Sequence, residues 1–134
     1  MIDLSRSLVN YLRQDPTLAG LLGDFRGHAS VFASSPIPSG AGTPFIVTEA
    51  ISDDTLPVKE VVAREIVQEL GVYGRENDGA AIIETISEYL REKVRVPFDV
   101  PDWTVSSLEI NGPTPDDVDD YHGRILTLRI LLDR

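Results

Sequence analysis

Residues 64–94 read REIVQELGVYGRENDGAAIIETISEYLREKV, and two periodicities meet inside them. From Arg64 to Tyr73, Ile66, Leu70 and Val72 share one face with Gln68, while Glu65, Glu69 and Gly71 oppose them. That alternation is a strand with one buried face. Val58, Val61, Val62, Ile66 and Leu70 also fit a helical stripe. The β-branched valines and the Gly71-Val72-Tyr73 tail favour strand, with residues 58–63 read as loop or strand extension. Asn77-Asp78-Gly79 then supplies a turn and a cap. Ile82, Ile83, Ile86, Leu90 and Val94 follow at helical spacing, with Glu84, Glu88, Arg91 and Glu92 facing outward. Pro97 stops this helix by Val96.

Working outward, Leu4, Leu8, Val9 and Leu12 predict an N-terminal helix with Asp3 as its cap. Asp15-Pro16 restarts the pattern through Leu18, Leu21 and Leu22, and Gly23 ends it. A short strand is expected at residues 28–33, around Val31 and Phe32. The Ser/Gly/Pro-rich residues 34–44 are loop. FIVTEAI, residues 45–51, reads as a buried strand, broken at residues 52–57 by Asp53-Asp54 and Pro57. WTVSSLEI, residues 103–110, is a strand and NGPTPDDVDD, residues 111–120, a loop. YHGRILTLRILL, residues 121–132, is the closing strand, with Arg124, Leu126, Leu128 and Ile130 on one face. The order α-(α)-β-β-β-α-β-β predicts a single α+β domain, residues 1–134. Its sheet of about five strands is mixed but mostly antiparallel, with both helices on one face.

Composition narrows the function. At 134 residues and 42% apolar content, one domain with one real core is expected. No apolar run approaches a membrane span, and the opening MIDLSRSLVN reads as a helix start rather than a signal peptide. The absence of cysteine excludes disulfides, thiolate nucleophiles and sulfur metal sites. A net charge of −10 without a basic stripe disfavours phosphate-neutralising nucleic-acid binding and anionic membranes.

Nothing nominates covalent chemistry. His28 and His122 stand far apart, outside any ligand-spaced motif. Asp116, Asp117, Asp119 and Asp120 lack the Gly and distal Glu of a calcium loop. Glu84, Glu88 and Glu92 lie one helical turn apart on a solvated face. Gly71, Gly74 and Gly79 lack the lysine of a phosphate loop. Ser34, Ser35 and Ser39 have no elbow motif. No catalytic residue, cofactor or metal is assigned. Arg124 and Arg129 point to opposite faces of the last strand. They are either charged punctuation of an edge strand or intersubunit ion-pair partners for the acidic helix or the Asp loop. Phe98 and Trp103 either cap the core edge or dock on a neighbouring protomer.

The arrangement resembles the tail-terminator, or tail-completion, proteins of long-tailed phages and related gene-transfer agents, over nearly the whole chain. The helix LSRSLVNYLRQD, the strand TPFIVTEA, the acidic loop ISDDTLPVKE and the strand REIVQELGVYG carry it. So do the helix DGAAIIETISEYLREKV, the strand WTVSSLEI, the loop PDDVDDYHG and the final RILTLRILL. The resemblance implies a non-enzymatic virion protein at the head-proximal end of the tail. It would form a ring, a hexamer in that family, that caps the tail tube, stops its polymerisation and offers a face for head attachment. Implied partners are copies of itself, the major tail-tube protein and a head-completion or connector protein. DNA would pass the lumen without specific binding, and no membrane is involved. On this reading Arg124, Arg129, Glu84, Glu88, Phe98 and Trp103 are the candidate intersubunit residues. Asp53, Asp54, Lys59 and Glu60 face the tube or connector. Alternatives are another head–tail connector or neck protein, or a small ligand- or metal-binding α+β domain.

Overall fold

In the computed structural model, residues 4–33, 37–57, 61–95, 98 and 100–134 are described. The expectations placed on Asp3, Lys59, Glu60, Val96 and Pro97 lie outside them. Helix α1 (Leu4–Arg13) buries Leu4, Leu8, Val9 and Leu12, the stripe its spacing predicts. Helix α2 (Pro16–Leu21) has Pro at its start and Asp15 as N-cap. Three two-residue strands follow: β1 (Asp24–Phe25), β2 (His28–Ala29) and β3 (Val31–Phe32). The single strand expected at residues 28–33 is thus divided. Its first half folds back on β1 around Arg26 and Gly27, both with positive φ, the backbone of a tight hairpin turn.

Four strands of twelve residues make the sheet: β4 (Phe45–Leu56), β5 (Ala63–Gly74), β6 (Thr104–Pro115) and β7 (His122–Asp133). The order is β3-β4-β5-β7-β6, antiparallel throughout except for β3 against β4. The α+β class, the mixed five-stranded sheet and the long helix α3 (Ala80–Arg95) stand as read from the sequence.

Four expectations need correction. The strand from Phe45 does not break at Ser52; it runs to Leu56 through a bulge near Ala50. Asp53 is tolerated there because Arg64, across on β5, bonds its carboxylate at 2.8 Å. The expected loop after Ile110 is still strand until Pro115. Pro113 and Pro115 fit because β6 is the sheet's edge and carries an irregularity between Asn111 and Thr114. The closing strand is not an edge: β7 lies between β5 and β6. On α3, Ile82 is exposed, and Ser87 is buried with its hydroxyl donating to the carbonyl of Ile83.

One face of the sheet makes the core. Leu126, Leu128, Ile130 and Leu132 of β7 are fully buried with Ile66, Leu70 and Val72 of β5 and with Ile83, Ile86, Leu90 and Val94 of α3. Each such side chain removed from water contributes roughly 1.5–3 kcal/mol. Gln68 shares this face, as its spacing predicts, and is fully buried. Its amide donates to Ser5 of α1 at 2.8 Å and to Thr48 of β4 at 2.7 Å. Both long helices therefore cover the same side.

A buried carboxylate joins the helices. Asp15 accepts from the backbone of Thr17 and Leu18, at 2.8 and 3.0 Å. Its second oxygen takes the Tyr89 hydroxyl at 2.7 Å and the Lys93 ammonium at 3.1 Å, both from α3. Lys93 also sits 4.6 Å over the Tyr11 ring, and Tyr11 donates back to the Lys93 carbonyl. Burial pushes the Asp15 carboxyl up, but the bonds from Tyr89, Leu18 and Lys93 outweigh it and hold it below the usual range. The bond to Asp15 in turn raises Lys93.

Replacing Asp15 with Ala removes a helix cap and leaves the Tyr89 hydroxyl and Lys93 without their acceptor. A loss of roughly 2–4 kcal/mol is expected at pH 7 by urea unfolding. A folded-state pKa below the unfolded one, about 3.9, means the Asp15 contribution is complete above that pH. It is lost as pH falls through the folded value. The gap between wild type and Asp15→Ala should therefore stay constant from pH 5 to 8 and narrow below about pH 4.

Candidate interaction surface

Among the described residues, the second face of the sheet carries no helix. Along β7 it presents Ile125, Thr127 and Leu131, half-buried, and Arg129, exposed. Along β5 it presents Glu65, Val67, Glu69, Gly71 and Tyr73. At one end an aromatic row covers it. Phe45 stacks 5.8 Å from Tyr73 and 5.3 Å from Tyr121, and Phe32 links Phe45 to Phe25. The Tyr73 ring lies back along the sheet. A Cβ on Gly71 would stand 2.4 Å from that ring and one on Gly123 2.5 Å, so glycine is what lets the ring down onto the strands. The Tyr73 hydroxyl donates to Asp116 at 2.5 Å. Burial, the bond to Asp116, and the fields of Asp116, Glu69 and Glu49 push its pKa up strongly.

Beside Tyr73 the face hollows into an open groove of about 350 Å³. Phe45, Val47, Tyr73 and Ile125 form its apolar floor; Glu49, Glu69 and Asp119 stand around it. Glu49 and Glu69 are direct cross-strand partners. Two carboxylates in that relation repel.

The Asp loop is committed to structure. Asp116 holds Tyr73, and Asp117 accepts from the Gly123 backbone at 3.1 Å and faces His122 at 3.8 Å. A wider polar depression of about 720 Å³ adjoins it, with Arg75 among its walls. Among the described residues no group of three His, Asp or Glu side chains is placed to hold a metal ion. His28 bonds the carbonyl of Ala29.

The eight described residues among those singled out from the sequence lie on different parts of the chain. Glu84 and Glu88 are exposed on α3, on the helical side. Arg129 is on the uncovered side, 4.0 Å from Glu65 of its own chain. Arg124 is half-buried beside Ala80 and Ile83, at the start of α3. Phe98 is 4% exposed in this chain's own core, against Tyr11, as the first of its two readings, a cap on the core edge, has it. Trp103 is half-buried, packs on the core and carries Arg134 over its ring at 4.8 Å. Asp53 and Asp54 lie on β4 rather than on a loop, with Ile51, Val61 and Val62 exposed at the same end of the hairpin.

The aromatic groove escaped the sequence reading. Its signal was present: Gly71 and Tyr73 occupy alternate positions of one strand, the spacing at which an aromatic ring can cover a glycine. Phe45 and Tyr121 come to it only through the β4–β5–β7 pairing.

No family model matches the chain, and no curated protein matches it. Among solved structures, a chain from the virion of a native gene transfer agent particle shares the fold. The TM-score is 0.75, over 98% of this chain and 95% of that one, at 17% sequence identity. At that identity the likeness is one of fold.

Proposed function

We propose that this chain is a structural virion protein of the tail-terminator type, acting by assembly rather than catalysis. The observation that carries the reading is the end-to-end fold likeness to a chain of a gene transfer agent virion. Its element order is also the one on which the family resemblance rests. The sheet's flanks support a ring. One side edge is the proline-bearing β6, whose register is irregular; the other is the short β3 beside the β4–β5 hairpin, whose distal half exposes Ile51, Val61 and Val62. Unlike flanks suit heterologous contacts that close on themselves. A net charge of −10 suits a lumen through which DNA slides without adhesion. In this reading copies of the chain, the tail-tube protein and a head-side connector are the partners, and Arg129 is the first choice for an intersubunit cation.

Light scattering and negative-stain electron microscopy of the chain mixed with purified tail tubes test it. Closed annuli seated at one tube end are expected. A species that stays monomeric and binds no tube end, or that recovers only portal-side proteins, would reject the terminator role. Arg129→Ala should weaken or abolish annuli while the melting temperature of the isolated chain changes by less than about 3 °C, as for exposed sites. An unchanged oligomer mass would remove Arg129 from the interface.

A further inference from the structure

We propose that copies of this chain join edge to edge, the outer edge of β4 pairing antiparallel with the outer edge of β6 of the next copy. The inference rests on the ring reading and names the surface that closes it. Each side edge of the sheet is stopped at one end and open at the other. On β4, β3 pairs with Ile46 and Val47; among the described residues no strand pairs with the outer edge of residues 50–56. On β6, Pro113 and Pro115 have no N–H to offer, and the carbonyl of Gly112 accepts from Arg91 of α3. Among the described residues no strand pairs with the outer edge of residues 104–111, a stretch without proline or lysine. Unpaired strand edges are templates for another strand. Followed through the registers of β5 and β7, the two open stretches lie at the same height. Ser52 is level with Glu109, Asp53 with Leu108 and Asp54 with Ser107. A ring whose axis runs along the strands requires that coincidence, because rotation carries a copy sideways without lifting it. From β4 through β5 and β7 to β6 every step is antiparallel, so β4 and β6 run in opposite directions. Copies set side by side therefore meet antiparallel, as most of the chain's own sheet does.

The side chains permit this register. Ser52 faces Glu109 and Asp54 faces Ser107, so no two carboxylates come directly opposite. Asp53 is already held by Arg64 at 2.8 Å. Bulges between Ala50 and Ser52 and between Val105 and Ser107 confine the regular ladder to Ser52–Asp54 against Ser107–Glu109. Its few backbone bonds contribute roughly 0.5–1.5 kcal/mol each, so one such contact is weak. In a closed ring every copy is held at both edges, and the pairing is expected chiefly in the assembly on tube ends.

The chain has no cysteine, so an introduced pair reports the contact without background. Within one copy Asp54 and Ser107 are three strand spacings apart, about 14 Å, beyond a disulfide's Cα reach of roughly 7 Å. Any bridge between them therefore joins two copies. Asp54→Cys/Ser107→Cys, mixed with tail tubes and mildly oxidised, should give a ladder of linked copies on a non-reducing denaturing gel. The control Glu88→Cys/Ser107→Cys, with one thiol on α3, should run as a single chain. In assembled wild type, amide hydrogen exchange should slow about tenfold or more over residues 52–54 and 107–109, with residues 46–47 unchanged. Annuli of the Asp54/Ser107 variant that give no ladder, an equal ladder from the control, or wild-type annuli with unchanged exchange at both edges would overturn edge pairing and leave the ring standing. If the substitutions themselves prevent annuli, exchange in the wild type decides. The absence of both annuli and ladder, with wild type failing to assemble as well, would overturn the ring reading and the pairing with it.

Discussion

The packing of Leu126, Leu128, Ile130 and Leu132 against Ile83, Ile86, Leu90 and Val94 decides where the other elements go. A strand alternates its side chains with a period of two, so these four residues commit one face of β7, and through the pairing one face of the whole sheet, to the helices. A one-residue slip would turn Arg129 and Thr127 inward. β7 lies between β5 and β6 and β5 between β4 and β7, so the choice spreads across the sheet. Among the described residues the opposite face carries no helix, and there the aromatic row and the acidic groove are found.

The helical layer is held by more than apolar contact. Asp15 is both a cap for α2 and the acceptor for Tyr89 and Lys93 of α3. A carboxylate so little exposed is tolerable only with most of its lone pairs engaged, and four donors engage it. Gln68 makes a smaller bridge of the same kind between β5, α1 and β4. Both fix the docking angle of α1 and α2, which apolar packing alone leaves adjustable.

The class, the element order and most of the core were legible in the sequence because they rest on local periodicity. Gln68 was placed correctly on the buried face by alternation alone. Strand ends were not legible. Asp53-Asp54 and Pro113-Thr114-Pro115 carry turn chemistry, yet Arg64 opposite Asp53, and the edge position of β6, let both segments stay extended. The position of β7 inside the sheet is a property of pairing, which no single strand encodes. Where the candidate interface residues sit is likewise a property of the pairing. Phe98 looked like an exposed aromatic beside a proline, but only the fold reveals that Tyr11 and the core receive it. The groove draws on three strands far apart in the chain, so its constituents had no common local signal beyond the Gly71-Tyr73 spacing.

Among the described residues the helices lie on one side of the sheet, and that side holds the chain together. The most direct measurement is urea unfolding of single alanine variants along β7. The account predicts losses of roughly 2–5 kcal/mol each at Leu126, Leu128 and Ile130, and under about 1 kcal/mol at Thr127 and Arg129. Comparable losses at both sets, or larger ones at Thr127 and Arg129, would contradict it.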